Sequence, residues 1–272
     1  MATIDNRLII SEGSEKVFEN QYIRLEAGIE RKGTLILRNS TIEPCAKLGS
    51  KNGRNPVCKP GCITMGIDGK LEMDGCKVIR PDQDFLSSWN MVIKNTSFLI
   101  NPCPDTGIRI QSVLAPCVIA AHGKAEFEGC SFTGCTYVSG TKISSSTFTD
   151  CGSVSSENEG GYIRNCGFIH VEAVFATWSD IDSCQFQKIR EDTEDDGVIF
   201  ITDCKITHCS FDDVELQNGS YLVEGLGDVC VEYCQFTNCR TERGWESLAC
   251  LLGFLTLSCG FILLGAFCVE VC

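Results

Sequence analysis

Basic residues are scarce in this chain: 23 Lys and Arg stand against 36 Asp and Glu, a formal charge of −13 over 272 residues. Phosphate recognition needs clustered cations, so the balance excludes a nucleic-acid partner. A secretory h-region is missing too. "MATIDNRLIISEGSEKV" has only "LII" as an apolar run, with charge directly after it, and the compartment expected from that is the reducing cytoplasm. The 3.6-residue apolar stripe of an amphipathic helix is absent before residue 247, which excludes a helical bundle. Twenty cysteines fall short of the density of a small disulfide scaffold, so most thiols are expected free.

What the chain has instead is a recurring phrase. "FEGCSFTGC", residues 127–135, returns along most of the sequence. With Phe132 as anchor, the equivalents are Ile42, Val78, Phe98, Phe148, Phe168, Phe186, Phe211, Phe236 and Phe261. The steps from Ile42 onward are 36, 20, 34, 16, 20, 18, 25, 25 and 25 residues. Repeats of this length indicate a solenoid, and the two long steps leave room for insertions or an extra coil.

Each unit has further landmarks. Two residues before the anchor stands a small residue, as in Ser40, Cys76, Thr96, Cys130, Ser146, Cys166, Cys184, Cys209 and Cys234. Three before it come mostly turn formers, such as Asn39, Gly75, Asn95, Gly129 and Asn165. Five before it the column is apolar, from Leu37 through Ile163 to Val231. Side chains alternate faces along a strand, yet positions minus five and minus two both need burial, so a bend lies between them. A second bend brings position plus three inward, at Cys135, Cys151, Val171, Ile189, Val214 and Cys239.

Units such as "GKAEFEGCSFTGC", "GYIRNCGFIHV", "WSDIDSCQFQKI" and "GDVCVEYCQFTNC" resemble the right-handed parallel β-helix of the pectin-lyase-like superfamily, over roughly residues 30 to 240. The expected fold is all-β, a single-stranded right-handed parallel β-helix. Its expected organisation is an N-terminal cap or first coil over 1–30, the β-helix over 31–246 and an apolar tail over 247–269. Eleven cysteines fall in the two inward columns, which makes them core filling, as buried free Cys usually is. The alternative is zinc at "CKPGC", where Cys58 and Cys62 have Cys45 and Cys76 near in sequence. The spacing lacks a second matching pair, so no metal and no cofactor are expected.

Positions minus six and minus four face outward in this register, giving Glu126 and Glu128, Lys142 and Ser144, Tyr162 and Arg164, Asp180 and Asp182, Lys205 and Thr207, then Cys230 and Glu232. One reading is an ion-paired surface. The resemblance implies another: enzymes of that superfamily place a substrate groove along an outer sheet face. Arg164 would then act as a base beside Asp180 and Asp182 as catalytic residues, with Glu128, Lys142, Tyr162 and Lys205 as ligand-binding ones. Paired carboxylates also suit glycoside hydrolysis. The chain lacks the superfamily's GHG-type motif and any clustered arginines at these positions.

Weaker signals complete the reading. The acidic run 190–197 has oxygen ligands for Ca2+, and the basic run 47–61 suits a negative partner. His122, His170 and His208 stand apart with no nucleophile motif, and His208 occupies a bend position. Residues 247–269 are uncharged and long enough to span a bilayer as a helix. The same stretch also reads as a last coil around Phe261, whose apolar outer face would invite oligomerisation. The expected function is a non-enzymatic scaffold or binding platform for a protein partner, tethered to a membrane by the tail. The alternative is a carbohydrate-active enzyme, a polysaccharide lyase or glycoside hydrolase.

Overall fold

The computed structural model describes residues 2–4, 8–27, 29–44, 63–79, 85–99, 118–189, 198–216, 222–241 and 252–254. The zinc candidates Cys45, Cys58 and Cys62, the 47–61 run, the 190–197 run and most of the tail lie outside them. Contacts divide the chain into two compact units, Met1–Gly140 and Thr141–Cys272. Each is a stack of parallel strands without a helix among the described residues. The right-handed parallel β-helix expected from the repeat is the observed fold.

In the first unit the anchors pair coil to coil as the repeat demands. Ile42 is opposite Val78, Val78 opposite Phe98, and Phe98 opposite Phe132, all parallel. Strand Ala2–Ile4 pairs in parallel with Tyr22–Leu25, so pairing of this kind begins before residue 30. In the second unit Phe148, Phe168, Phe186, Phe211 and Phe236 follow one another in the same way. Their rings stack with centroids 4.7 to 5.1 Å apart, close to the inter-strand spacing that sets them there. Burying each ring contributes about 1.5 to 3 kcal/mol.

Both bends appear in the backbone. Asn39, Asn95, Ser145, Asn165, Ser183, His208 and Tyr233 have φ between 46° and 55° at position minus three. Asp150, His170, Lys188, Asp213 and Asn238 do the same at position plus two. Single left-handed residues reverse the side-chain alternation at each bend, so positions minus two and plus three both turn inward.

The minus-two column has a polar duty as well as a small volume. Ser40, Thr96 and Ser146 each donate from the hydroxyl to the carbonyl two residues earlier, at 2.7 to 2.8 Å. Cys76, Cys130, Cys166, Cys184, Cys209 and Cys234 donate from the thiol to the same carbonyl at 3.2 to 3.5 Å. The bend therefore selects Cys, Ser or Thr because a buried carbonyl needs a donor there. All eleven described cysteines are free thiols, and only Cys230 is not buried.

Strand Leu252–Phe254 pairs in parallel with Val223–Leu226, so three residues of the apolar tail extend the sheet of the second unit. Among the described residues no helix is long and apolar enough to cross a membrane.

Candidate functional site

The outward residues of the second unit are carried on strands Lys142–Ser144, Ser153–Arg164, Ala173–Asp182, Lys205–Thr207 and Cys230–Glu232. Parallel register lines them up in two columns. Lys142 is opposite Tyr162 and Tyr162 opposite Asp180; Ser144 is opposite Arg164, Arg164 opposite Asp182 and Asp182 opposite Thr207. The structure thus brings together six of the seven residues singled out above. Glu128 belongs to the first unit, where it pairs with Lys94 at 2.7 Å.

Asp182 is the best-engaged side chain of the group. Its Oδ1 accepts from Thr207 Oγ1 at 2.8 Å and lies 3.1 Å from His208 Nδ1. The Thr207 hydroxyl, then His208 and Arg164, hold its carboxyl below the usual carboxylate range. Asp180 stands two residues back on the same outward side, and its Oδ1 accepts the Lys205 N–H at 3.1 Å. The Arg164 guanidinium lies over the Tyr162 ring at 4.7 Å, a cation–π contact.

His208 is the functional candidate that sequence reasoning assigned to the bend alone. Its left-handed backbone does make the bend, with φ 53°. The same geometry sets its exposed ring beside Asp182 of the preceding coil and stacks it on Tyr233 of the next, centroids 5.3 Å apart. The available signal was spacing: His208 follows Asp182 by 26 residues, one coil of 25 plus one. His170 and Asp150 form a similar corner pair at 2.8 Å.

The face around Asp182 is open. A recess of about 420 Å3 lies at the middle of strand Ala173–Asp182, lined by Glu157, Asn158, Glu159 and Trp178. In the first unit a smaller recess of about 260 Å3 is lined by residues including Arg38, Lys70, Glu72, Asp74 and Lys94. Lys70 and Lys94 there are ion-paired with Glu72 and Glu128. Among the described residues no three His, Cys, Asp or Glu side chains converge as a metal site.

No protein-family profile matches the chain, and no curated protein resembles it in sequence. Among solved structures it is similar to a double mutant of a periplasmic alginate epimerase, with a TM-score of 0.39, 9% identity and coverage of 88% of this chain and 66% of that one. A single mutant of the same epimerase gives a TM-score of 0.29, 9% identity and coverage of 88% and 74%. This chain therefore spans just under two thirds of the first structure. The parallel β-helix itself is established by the strand pairings on their own. Both matched structures are of an enzyme, and a periplasmic one. That finding runs against the non-enzymatic scaffold, the leaning against catalysis and the cytoplasmic setting expected from sequence, and all three are withdrawn.

Proposed function

We propose that the second unit is a carbohydrate-active module that cleaves glycosidic bonds on its outer face, with Asp182 and His208 at the centre. The observation that carries this reading is the engagement of one carboxylate oxygen by both the Thr207 hydroxyl and the His208 Nδ1. A carboxylate on Nδ1 fixes the imidazole tautomer and directs Nε2 to proton transfer.

Asp180 supplies the second carboxylate. It stands two residues back on the same strand, about 6.6 Å along it from Asp182. In this scheme His208, as imidazolium, gives a proton to the departing glycosidic oxygen. Asp180 takes a proton from the water whose oxygen bonds to the anomeric carbon. Asp182 stays ionised and stabilises the imidazolium, while Tyr162, Arg164, Lys142 and Lys205 contact the sugar on either side.

The charge of −13 favours a neutral or amino-sugar polymer over a polyuronate. The same charge weighs against lyase chemistry, which acts on uronates.

The test is release of reducing ends from neutral, amino-sugar and uronate polysaccharides. Asp182→Asn and His208→Ala are each expected to lower the rate by about 100-fold or more. His170→Ala, which removes the other corner pair, is expected to leave it unchanged. No product from any polymer, or wild-type rates in the Asp182→Asn and His208→Ala variants, overturns the proposal.

A further inference from the structure

We propose that the recess beside Trp178 is a saccharide subsite that seats one pyranose ring without a carboxylate, either uncharged or carrying an amino group. It rests on the carbohydrate reading for its ligand class, though not on the chemistry assigned to Asp182 and His208.

The recess is built by an irregularity in the register. Strand Ser153–Arg164 matches Ala173–Asp182 residue for residue up to Glu157 and Thr177, then resumes at Gly161 and Ser179. Asn158, Glu159 and Gly160 therefore stand out as a wall opposite the single residue Trp178. Buried Ser179 ties the wall down: its Oγ donates to the Asn158 carbonyl at 3.1 Å and accepts from Ser156 Oγ at 3.0 Å. Gly161 permits this approach, since a Cβ there would meet the Thr141 carbonyl oxygen at 2.6 Å and the Asn158 carbonyl oxygen at 2.9 Å.

Trp178 is out of place in structural terms. It has a φ of 54°, a conformation that is an outlier for a bulky side chain. On the following coils the same corner is turned by Asp203 and Gly227, residue types that tolerate it. Trp178 nevertheless stays 56% exposed. Its edge is held, because Nε1 donates to Asp203 Oδ2 at 3.3 Å while Asp203 Oδ1 accepts the Asp228 N–H at 2.9 Å. The indole is therefore held by its edge and leaves its face open to solvent.

The lining names the ligand. An aromatic face accepts the apolar side of a sugar ring and attracts a positive charge. Glu157, Glu159 and Asn158 offer acceptors to hydroxyl or ammonium groups. Among the described residues no cation lines the recess, so a uronate would meet the carboxylates of Glu157 and Glu159. Asp180 lies two residues beyond Trp178 on the same strand and also faces outward, so a ring on the indole directs its neighbour toward Asp180 and Asp182.

Calorimetric titration with hexamers of glucose, glucosamine and galacturonate tests the subsite. The wild type is expected to bind the glucose or the glucosamine hexamer and to reject the galacturonate one. Trp178→Asn, suited to the left-handed backbone, is expected to lose about ten-fold or more in affinity without a lower unfolding midpoint. Trp178→Phe is expected to retain most of the binding, and Glu159→Gln, on the exposed wall, to lose several-fold. His170→Ala, outside both the recess and the Asp182–His208 pair, is expected to bind as the wild type does, and because binding is read apart from cleavage, failure of this site is separate from failure of the proposed chemistry. No binding of either sugar, wild-type affinity in the Trp178→Asn and Glu159→Gln variants, or galacturonate binding as tight as that of the other sugars overturns the proposal.

Discussion

Phe168 and Phe186 lie face to face on successive coils, ring centroids 4.7 Å apart and planes 7° from parallel. They sit 18 residues apart in sequence, while the next step, to Phe211, is 25; the stacking distance stays at 4.8 Å. The parallel ladder sets the spacing and the loops absorb the difference in length.

Removing a ring from this column leaves a cavity that neither neighbouring coil can fill. Phe168 is fully buried, so Phe168→Ala is expected to destabilise the fold by about 3 to 5 kcal/mol. Urea unfolding followed by circular dichroism checks this. A loss below about 1 kcal/mol would mean that the ring is not part of a close-packed interior.

The buried thiols give stability an alkaline limit. Burial pushes the Cys239 thiol from 9.0 up to about 11, and burial likewise raises Cys76. Between those pH values the unfolded chain has released its thiol protons while the folded chain keeps them, so unfolding gains ground as pH rises. Stability from this source is complete below about pH 9 and is lost toward pH 11. Thermal midpoints measured across that window, under reducing conditions, are expected to fall, and Cys239→Ser is expected to make the fall shallower.

The coils were legible in the sequence, because anchor, bend and inward columns are each fixed by one physical demand. The left-handed bends at Asn39, Gly75, Asn95, Gly129, Ser145, Asn165 and Ser183 were marked by residue types that tolerate them. The donor duty of Cys130 or Ser146 was not legible, since a small residue reads as packing until the carbonyl it satisfies is seen. Asp180, Asp182, Arg164 and Tyr162 emerged from the register as one patch. His208 was hidden by serving the bend and the patch at once. Trp178 was hidden because the extra residues opposite it interrupt the count between coils.

Thr207 tunes the carboxylate at the centre of the site. Its hydroxyl is the foremost influence holding Asp182 low, so Thr207→Val keeps the shape and removes the donor. The Asp182 carboxyl is then expected to titrate at higher pH, moving the acid limb of the pH–rate profile upward. Proton titration of Asp182 by NMR provides the same readout without substrate. An unmoved carboxyl resonance would show that the Thr207 hydrogen bond does not set the charge.

The most direct measurement is a crystal structure of the Asp182→Asn variant soaked with a neutral or amino-sugar hexamer. A carbohydrate-active second unit predicts sugar density running from the face of Trp178 past Asp180 to the His208 imidazole. Density confined to another surface, with Trp178 and His208 both uncovered, would contradict it.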